Sequence, residues 1–520
     1  TYLPHFRTVC ASGVEGVMAA YNRVNGEAAC ASKFLLEDTL RERWGFKGHV
    51  VSDCWAISDI YKHHKIVDTA AEAAALAIKA GCDLNCGCAY EHVLEAVDQG
   101  LLTEADIDIC VERLLRCIVR LGLIDDPATV PLSDTPLSVV GSQRHRAIAK
   151  EAALKGCVLL KNNGVLPLRG KLDKVMVTGP NAASVDMLLG NYFGLPVHAE
   201  TIVEGIAAAA PAGTSVQYLR GTMLARPSMH DKNWIYYETK TADATIACMG
   251  LSPLMEGEEG ECVASASGGD RDELGLPPHQ VQFLRRLKEH GTPVVVLLSG
   301  GSAIVEPEVY ELADALMWIG YPGEAGGSAV ADLLFGRANP SGRMPFTTPM
   351  SADDLPVFDD YRVAGMERTY RYAEKAPLYP FGFGLSYTSF TYDDIRPRSA
   401  SIGRDALRQA GGLDVSVTVT NTGDRQGEEV VQLYIRDLEA SCVAPRRELV
   451  ATTRLSLSPG ERGVIDLTVH TSAFELVRDD GTREIEPGEF ELIASGACPI
   501  DRSIELGAPS PRSCRVVVTG

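Results

Sequence analysis

Hydrophobic and polar positions follow three successive patterns along the chain. Over the first 125 residues, short apolar runs alternate with helical patterns. GVMAAYNRVNG reads as a strand running into a polar loop, and KFLLEDTLRERWGF as the helix after it. GHVVSDCW is the next strand, TAAEAAALAIKAG a helix and CDLNCG a further short strand. EHVLEAVDQG and EADIDICVERLLRCIVRLG complete the series as helices. Strand-loop-helix units in this order predict a parallel α/β arrangement. About three units are present where a closed barrel needs eight. The segment is therefore expected to be either a small open sheet or the last part of a barrel.

Residues 126–145, rich in Pro, Asp and Ser, predict a linker. A second α/β region over 146–388 carries the continuous apolar runs CVLLKN, KVMVTGPN, ATIACMG, PVVVLLSG and ALMWIGYPG, with helical stretches such as PHQVQFLRRLKEHG between them. Runs of that kind suit a parallel sheet covered on both faces. From 389 to 520 the period drops to two, in LDVSVTVTNTGDRQGEEVVQLYIRD, RELVATTRLSLSPGERGVIDLTV and GEFELIASG. These short strands and their turns predict a β-sandwich. The fold class expected is α/β multidomain with a C-terminal sandwich.

The 520 residues exceed what one core holds, which agrees with several domains. A net charge of −20 argues against nucleic acid as a partner, because phosphate binding needs clustered Lys and Arg. It argues equally against an acidic membrane surface, and no apolar run approaches the roughly 18 to 20 residues that span a bilayer. Most of the 14 cysteines sit in apolar runs, such as Cys157 and Cys248, and read as small buried hydrophobes. The cluster Cys82, Cys86 and Cys88 lacks paired C-x2-C spacing. His63 and His64 are adjacent and point apart on most backbones. No metal site is read. The start, TYLPHFRTVCASG, falls in mid-pattern and carries no signal segment, so the sequence leaves the compartment open.

Two sets of acids could carry chemistry. Asp53 ends the run HVVSD, where a strand opens into a loop, and strand carboxyl ends are where α/β folds place reactive groups. It could act as a nucleophile at an anomeric carbon, or simply cap the following helix. In MEGEEGE, Glu256, Glu258, Glu259 and Glu261 crowd one Gly-rich loop. Such a loop is usually solvated. Crowded acids near an apolar wall can nevertheless keep a proton at neutral pH, and a protonated Glu opposite an ionised Asp is the pairing that glycoside hydrolysis uses. The Gly-rich SGGS (299–302) and FGFG (381–384) lack the Lys and the strand-helix context of phosphate loops and are assigned to turns.

YNRVNG, GFKGHVVSDCW and AGCDLNCG resemble the last strands of the barrel of glycoside hydrolase family 3. LLKNNGVLPL, MLLGNYFG, GGDRDELGLP, GYPGEAGGSAVADLLFGRANPSGRMPFT and RTYRYAEKAPLYPFGFGLSYTSF resemble that family's α/β sandwich, and VTVTNTGDRQGEEVVQLYI its fibronectin type III-like domain. The resemblance implies a (β/α)8 barrel portion at 1–125, a linker at 126–145, an α/β sandwich at 146–388 and a fibronectin type III-like domain at 389–520. It places the nucleophile on Asp53. The acid/base falls in an E-x-E pattern ahead of an Asp-Arg pair, here Glu256-Gly257-Glu258 ahead of Asp270-Arg271. Glu258 is assigned, with Glu256 the alternative and Glu259 a lesser one, because EGECVASASGG lengthens the usual gap. Tyr21 matches a position lining the sugar site, where an aromatic is also ordinary core. Trp55 is placed to stack on a sugar, where xylosidase-like relatives often carry Asp.

The implied activity is a retaining, exo-acting β-glycosidase that releases single xylose or glucose units from non-reducing ends. It needs no metal or organic cofactor, and its partner is an oligosaccharide or aryl glycoside. A homodimer is compatible with this. MLLGNYFG and AGCDLNCG lean to xylose; β-glucosidase activity, or an inactive sugar-binding relic of a shortened barrel, are the alternatives. Secretion or a periplasmic location would follow from a signal peptide ahead of Thr1, and a cytoplasmic one from its lack.

Overall fold

A computed structural model describes residues 2–229, 233–258, 262–265, 267–269 and 271–520. The chain divides into two compact units, Thr1–Val139 and Val140–Gly520. Among the described residues no helix is long and apolar enough to cross a membrane.

In the first unit two short strands, β1 (Gly16–Ala19) and β2 (His49–Ser52), pair in parallel with Gly16 opposite His49. The crossover between them contains Phe34–Arg43, a helix whose turns are π-type rather than α-type. After β2 come α1 (Ala56–Lys62), α2 (Ala70–Ala80) and α3 (Glu104–Arg120). Helix α2 starts at a capping box, Thr69 and Glu72 satisfying each other's backbone N–H groups, and stops at Gly81 in the left-handed region. Its alanines let it pack closely, and most are fully buried. The strand expected at CDLNCG reduces to one parallel bridge, Val51 with Leu84. Its polar residues turn instead to side-chain work: buried Asp83 accepts from Arg41, Arg113 and the Val50 N–H at 2.7–2.8 Å.

The second unit opens with α4 (Gln143–Gly156). Its sheet contains β3 (Val158–Asn162), β4 (Lys174–Thr178), β5 (Ser215–Leu219), β6 (Ala244–Gly250), β7 (Val294–Ser299) and β8 (Ala315–Trp318). The strand order is β3-β8-β7-β6-β4-β5. Strands β6 and β7 are buried along their whole length, as their unbroken apolar runs require. The sheet is not wholly parallel as expected: β3 pairs antiparallel with β8. An antiparallel edge strand of this kind is common on a mostly parallel sheet. Helices α5 (Ile202–Ala209), α6 (Pro253–Glu256), α7 (Pro278–Lys288) and α8 (Gly326–Leu334) belong to this layer structure, and two apolar clusters fill the space around the sheet.

From Phe390 the chain forms a sandwich of β9 (Phe390–Pro397), β10 (Ser401–Gly403), β11 (Gly412–Asn421), β12 (Gly427–Asp437), β13 (Glu448–Leu457), β14 (Arg462–His470), β15 (Gly488–Ser495) and β16 (Arg512–Thr519). Its sheets are ordered β9-β11-β14 and β10-β16-β15-β12-β13. The inward positions of the alternating runs make one core, including Val415, Val417, Val419, Val431 and Leu433. Buried Glu429 ties the sandwich to the α/β layer through Arg343 at 2.9 Å, and also accepts from Tyr392 at 3.0 Å.

Candidate active site

Strand β2 delivers Asp53 to its carboxyl end. The Asp53 N–H donates to the Ala19 carbonyl at 2.8 Å, continuing the β1–β2 pairing one residue past the strand. Its Oδ1 accepts from the Cys54 N–H at 2.7 Å. Helix α1 has Trp55, not Asp53, at its N-cap position, and no side chain caps it. The simple capping role weighed for Asp53 is therefore not what the residue does. Trp55 adopts φ 69°, a conformation uncommon for a bulky residue. The Trp55 N–H donates to the Cys86 carbonyl at 2.7 Å, and the residue is 53% exposed. Tyr21, just past β1, is also exposed, at 43%.

A second clamp holds the same loop. Ser52 Oγ accepts from Asn85 Nδ2 at 3.1 Å and from the Cys86 N–H at 3.0 Å. Cys54 and Cys86 form a disulfide across 32 residues. The sequence marks most cysteines as buried hydrophobes, which fits the buried, free Cys157 and Cys248, and sets Cys86 in a cluster without zinc spacing; neither expectation foresees this pair. Pairing needs Cα atoms near 4.4–6.8 Å, and that proximity comes from the Val51–Leu84 bridge, which spacing does not reveal.

In the second unit, the loop after β6 passes through α6 and reaches Glu256 and Glu258. The two carboxylates sit in contrasting surroundings. The Glu256 side chain is only 7% exposed. Its Oε1 accepts from the Gly301 N–H and the Tyr321 hydroxyl, and its Oε2 accepts from Ser302 Oγ at 2.6 Å. Arg271 stands 3.7 Å away and donates to Ser302 Oγ and to the Ala303 carbonyl at 2.7 and 3.0 Å. Burial, and then the Glu256 charge, pushes the Tyr321 hydroxyl well above its ordinary range. Burial lowers the Arg271 guanidinium, opposed by Glu256. Glu258 is exposed, its backbone carbonyl accepting from Cys262 Sγ at 3.3 Å. Glu259, Glu261 and Asp270 lie outside the described residues.

The SGGS turn, set aside from the sequence, thus supplies two of the donors to Glu256. Strands β6, β7 and β8 are neighbours in the sheet, so the loops following them converge: Glu256 after β6, Gly301 and Ser302 after β7, Tyr321 after β8. A Gly pair directly after a fully apolar run is the signal that could have marked this turn.

Three family models match the chain: the glycosyl hydrolase family 3 N-terminal domain over residues 1–117, its C-terminal domain over 157–387, and a fibronectin type III-like domain over 429–497. A xylan 1,4-β-xylosidase of Xylanibacter ruminicola is 30% identical, the match covering 97% of this chain and 74% of that protein. A periplasmic β-glucosidase of Salmonella typhimurium is 32% identical over 94% of this chain and 67% of its own length. A solved family 3 exo-β-xylosidase, XlnD, in complex with a xylobiose aziridine activity-based probe superposes with a TM-score of 0.89 at 30% identity, covering all of this chain and 68% of that one. The chain spans about two thirds of the length of the curated relatives it matches.

Proposed function

Since the chain belongs to glycosyl hydrolase family 3, we propose that it carries the catalytic carboxylates of a retaining, exo-acting β-glycosidase releasing single xylose or glucose units. The observation that carries this reading is Asp53, held at a strand end by backbone on both sides beside an exposed indole. Asp53 attacks the anomeric carbon while Glu258 protonates the departing oxygen, giving a covalent glycosyl-enzyme. Glu258 then takes a proton from water, which releases the sugar with its configuration retained. Retention requires the two carboxyls to work about 5–5.5 Å apart. Tyr21 and Trp55 offer aromatic faces to the sugar. None of these steps calls for a metal or organic cofactor.

Glu258 is favoured as acid/base because it is exposed, whereas both Glu256 oxygens are engaged within the protein. A second reading has its own support. Glu256 is buried and fixed by four groups, and catalytic side chains work best when locked by their neighbours. In that reading Glu256 shuttles the proton and Glu258 stays solvated.

Intact-mass analysis after incubation with activated 2-deoxy-2-fluoro-β-xyloside, and separately with the glucoside, tests the proposal. The expected result is a gain of one fluorosugar that is absent in Asp53→Ala. The xyloside is expected to react faster, in line with MLLGNYFG and AGCDLNCG. Faster labelling by the glucoside would reassign the sugar. No adduct from either, on folded protein, would overturn the assignment of a working nucleophile to this chain.

A further inference from the structure

The amino end of β2 carries a second chemical grouping. Glu15, His49 and Cys117 are the one trio of carboxylate, imidazole and thiol side chains among the described residues whose ligand atoms all lie within 4.8 Å of one another. We propose that these three side chains bind a divalent transition-metal ion, Zn(II) by preference, as a clip between the starts of the two strands and the last turn of α3.

The scaffold fixes all three positions. Glu15 directly precedes β1 and His49 opens β2, and the His49 N–H donates to the Glu15 carbonyl at 3.1 Å. This close approach depends on Gly48, where an added Cβ would lie 1.9 Å from the Glu15 carbonyl oxygen. Gly16 leaves room for the imidazole, whose Nε2 would stand 3.2 Å from a Cβ there. Cys117 lies in the last turn of α3 and is an unpaired, half-buried thiol.

The polar atoms themselves point to a ligand. Glu15 Oε1 and His49 Nδ1 are buried and make no hydrogen bond, a condition that native proteins seldom leave uncompensated. Arg120 pairs with Glu15 through Oε2, which leaves Oε1 for another partner. One oxygen, one imidazole nitrogen and one sulfur form a donor set suited to zinc or cobalt rather than magnesium or calcium. Tetrahedral metal–ligand bonds of about 2.0–2.3 Å would draw the ligand atoms to roughly 3.3–3.8 Å apart, an adjustment of about 1 Å. Water completes the fourth position.

The carboxylate and a thiolate offset the dication, leaving one positive charge, that of Arg120 on Glu15 Oε2, and the Cys117 proton leaves to solvent on binding, one proton per ion. His49 starts β2 and Asp53 follows its end, about 13 Å apart at 3.3 Å per residue. The clip thus lies apart from Asp53, and it stands or falls independently of the reading of that residue.

Titrating Co(II) into the whole chelator-stripped chain tests this. The expected result is one equivalent bound, with a near-ultraviolet thiolate-to-cobalt charge-transfer band and the visible bands of four-coordinate cobalt, both displaced by Zn(II). Cys117→Ser should abolish the charge-transfer band. His49→Gln and Glu15→Gln should each weaken cobalt binding at least tenfold, in proteins whose circular dichroism matches the parent. Absence of the band in the parent overturns the proposal. So does a band of unchanged strength in Cys117→Ser, which would put the ion on another thiol. Should Cys117→Ser not fold, the two Gln variants decide: unaltered cobalt affinity in both removes the site.

Discussion

The loops carrying Asp53 and Glu256 are fixed by opposite means. Asp53 is held by backbone: its own N–H to Ala19, its neighbour's N–H to its carboxylate, and the Trp55 N–H to Cys86, with a disulfide and Ser52 behind them. Glu256 is held through its side chain by Tyr321, Ser302, Arg271 and one glycine N–H. The purely main-chain clamps, Asp53 N–H to Ala19 and Trp55 N–H to Cys86, fix a position whatever the protonation state of Asp53. A side-chain network depends on every hydroxyl and charge in it, so single substitutions can disturb it.

The sharpest break in that comparison is Asp53 itself. Asp53→Ala should lower kcat/KM on aryl glycosides by roughly 10^4-fold or more, the scale of losing a nucleophile, with the melting temperature little changed because the clamps there are backbone. Next comes the proton donor. Glu258→Gln should slow aryl glycosides with poor leaving groups by about 10^2–10^4-fold, the usual share of general acid catalysis, while activated dinitrophenyl glycosides react nearly as before. If Glu256→Gln shows that leaving-group dependence and Glu258→Gln does not, the roles exchange.

The covalent clamp is tested by Cys54→Ser with Cys86→Ser. Losing a native disulfide of this loop length typically costs about 2–4 kcal/mol. Denaturant unfolding should show that loss in the first unit, and an unaltered transition would mean the hydrogen bonds suffice. The smallest effect concerns the α2 capping box. The Thr69 hydroxyl, with the Thr69 and Asp68 N–H groups, holds the Glu72 carboxyl below its ordinary range. A lowered carboxyl stabilises the fold above its unfolded value, near 4.3, and loses that contribution as pH falls through the lowered one. The thermal advantage of the parent over Glu72→Gln should therefore be present at pH 6 and shrink toward pH 3.

Much of the fold could be read from periodicity. The fully apolar runs ATIACMG and PVVVLLSG became β6 and β7, and the alternating runs after 389 became sandwich strands, because each pattern suits one kind of burial. Two half-exposed strands were missed: SVQYL, which became the edge strand β5, and the last strand β16 carry a weak signal. CDLNCG misled because its apolar residues are outnumbered by groups that bond sideways, as Asp83 does with Arg41 and Arg113.

The candidate site divides along the same line. Sequence alone marked the candidate residues and where the chain turns: Asp53 after a strand, an acid-rich loop after ATIACMG, a Gly pair closing PVVVLLSGG. Only the tertiary structure decided what each one meets. That Glu256 is enclosed by residues 45 to 65 positions downstream, that Cys54 finds Cys86, and that Glu15, His49 and Cys117 converge all follow from strand order and register. Burial and local periodicity are written into neighbouring residues. Contacts between distant segments depend on which strands lie side by side, and no local pattern encodes that.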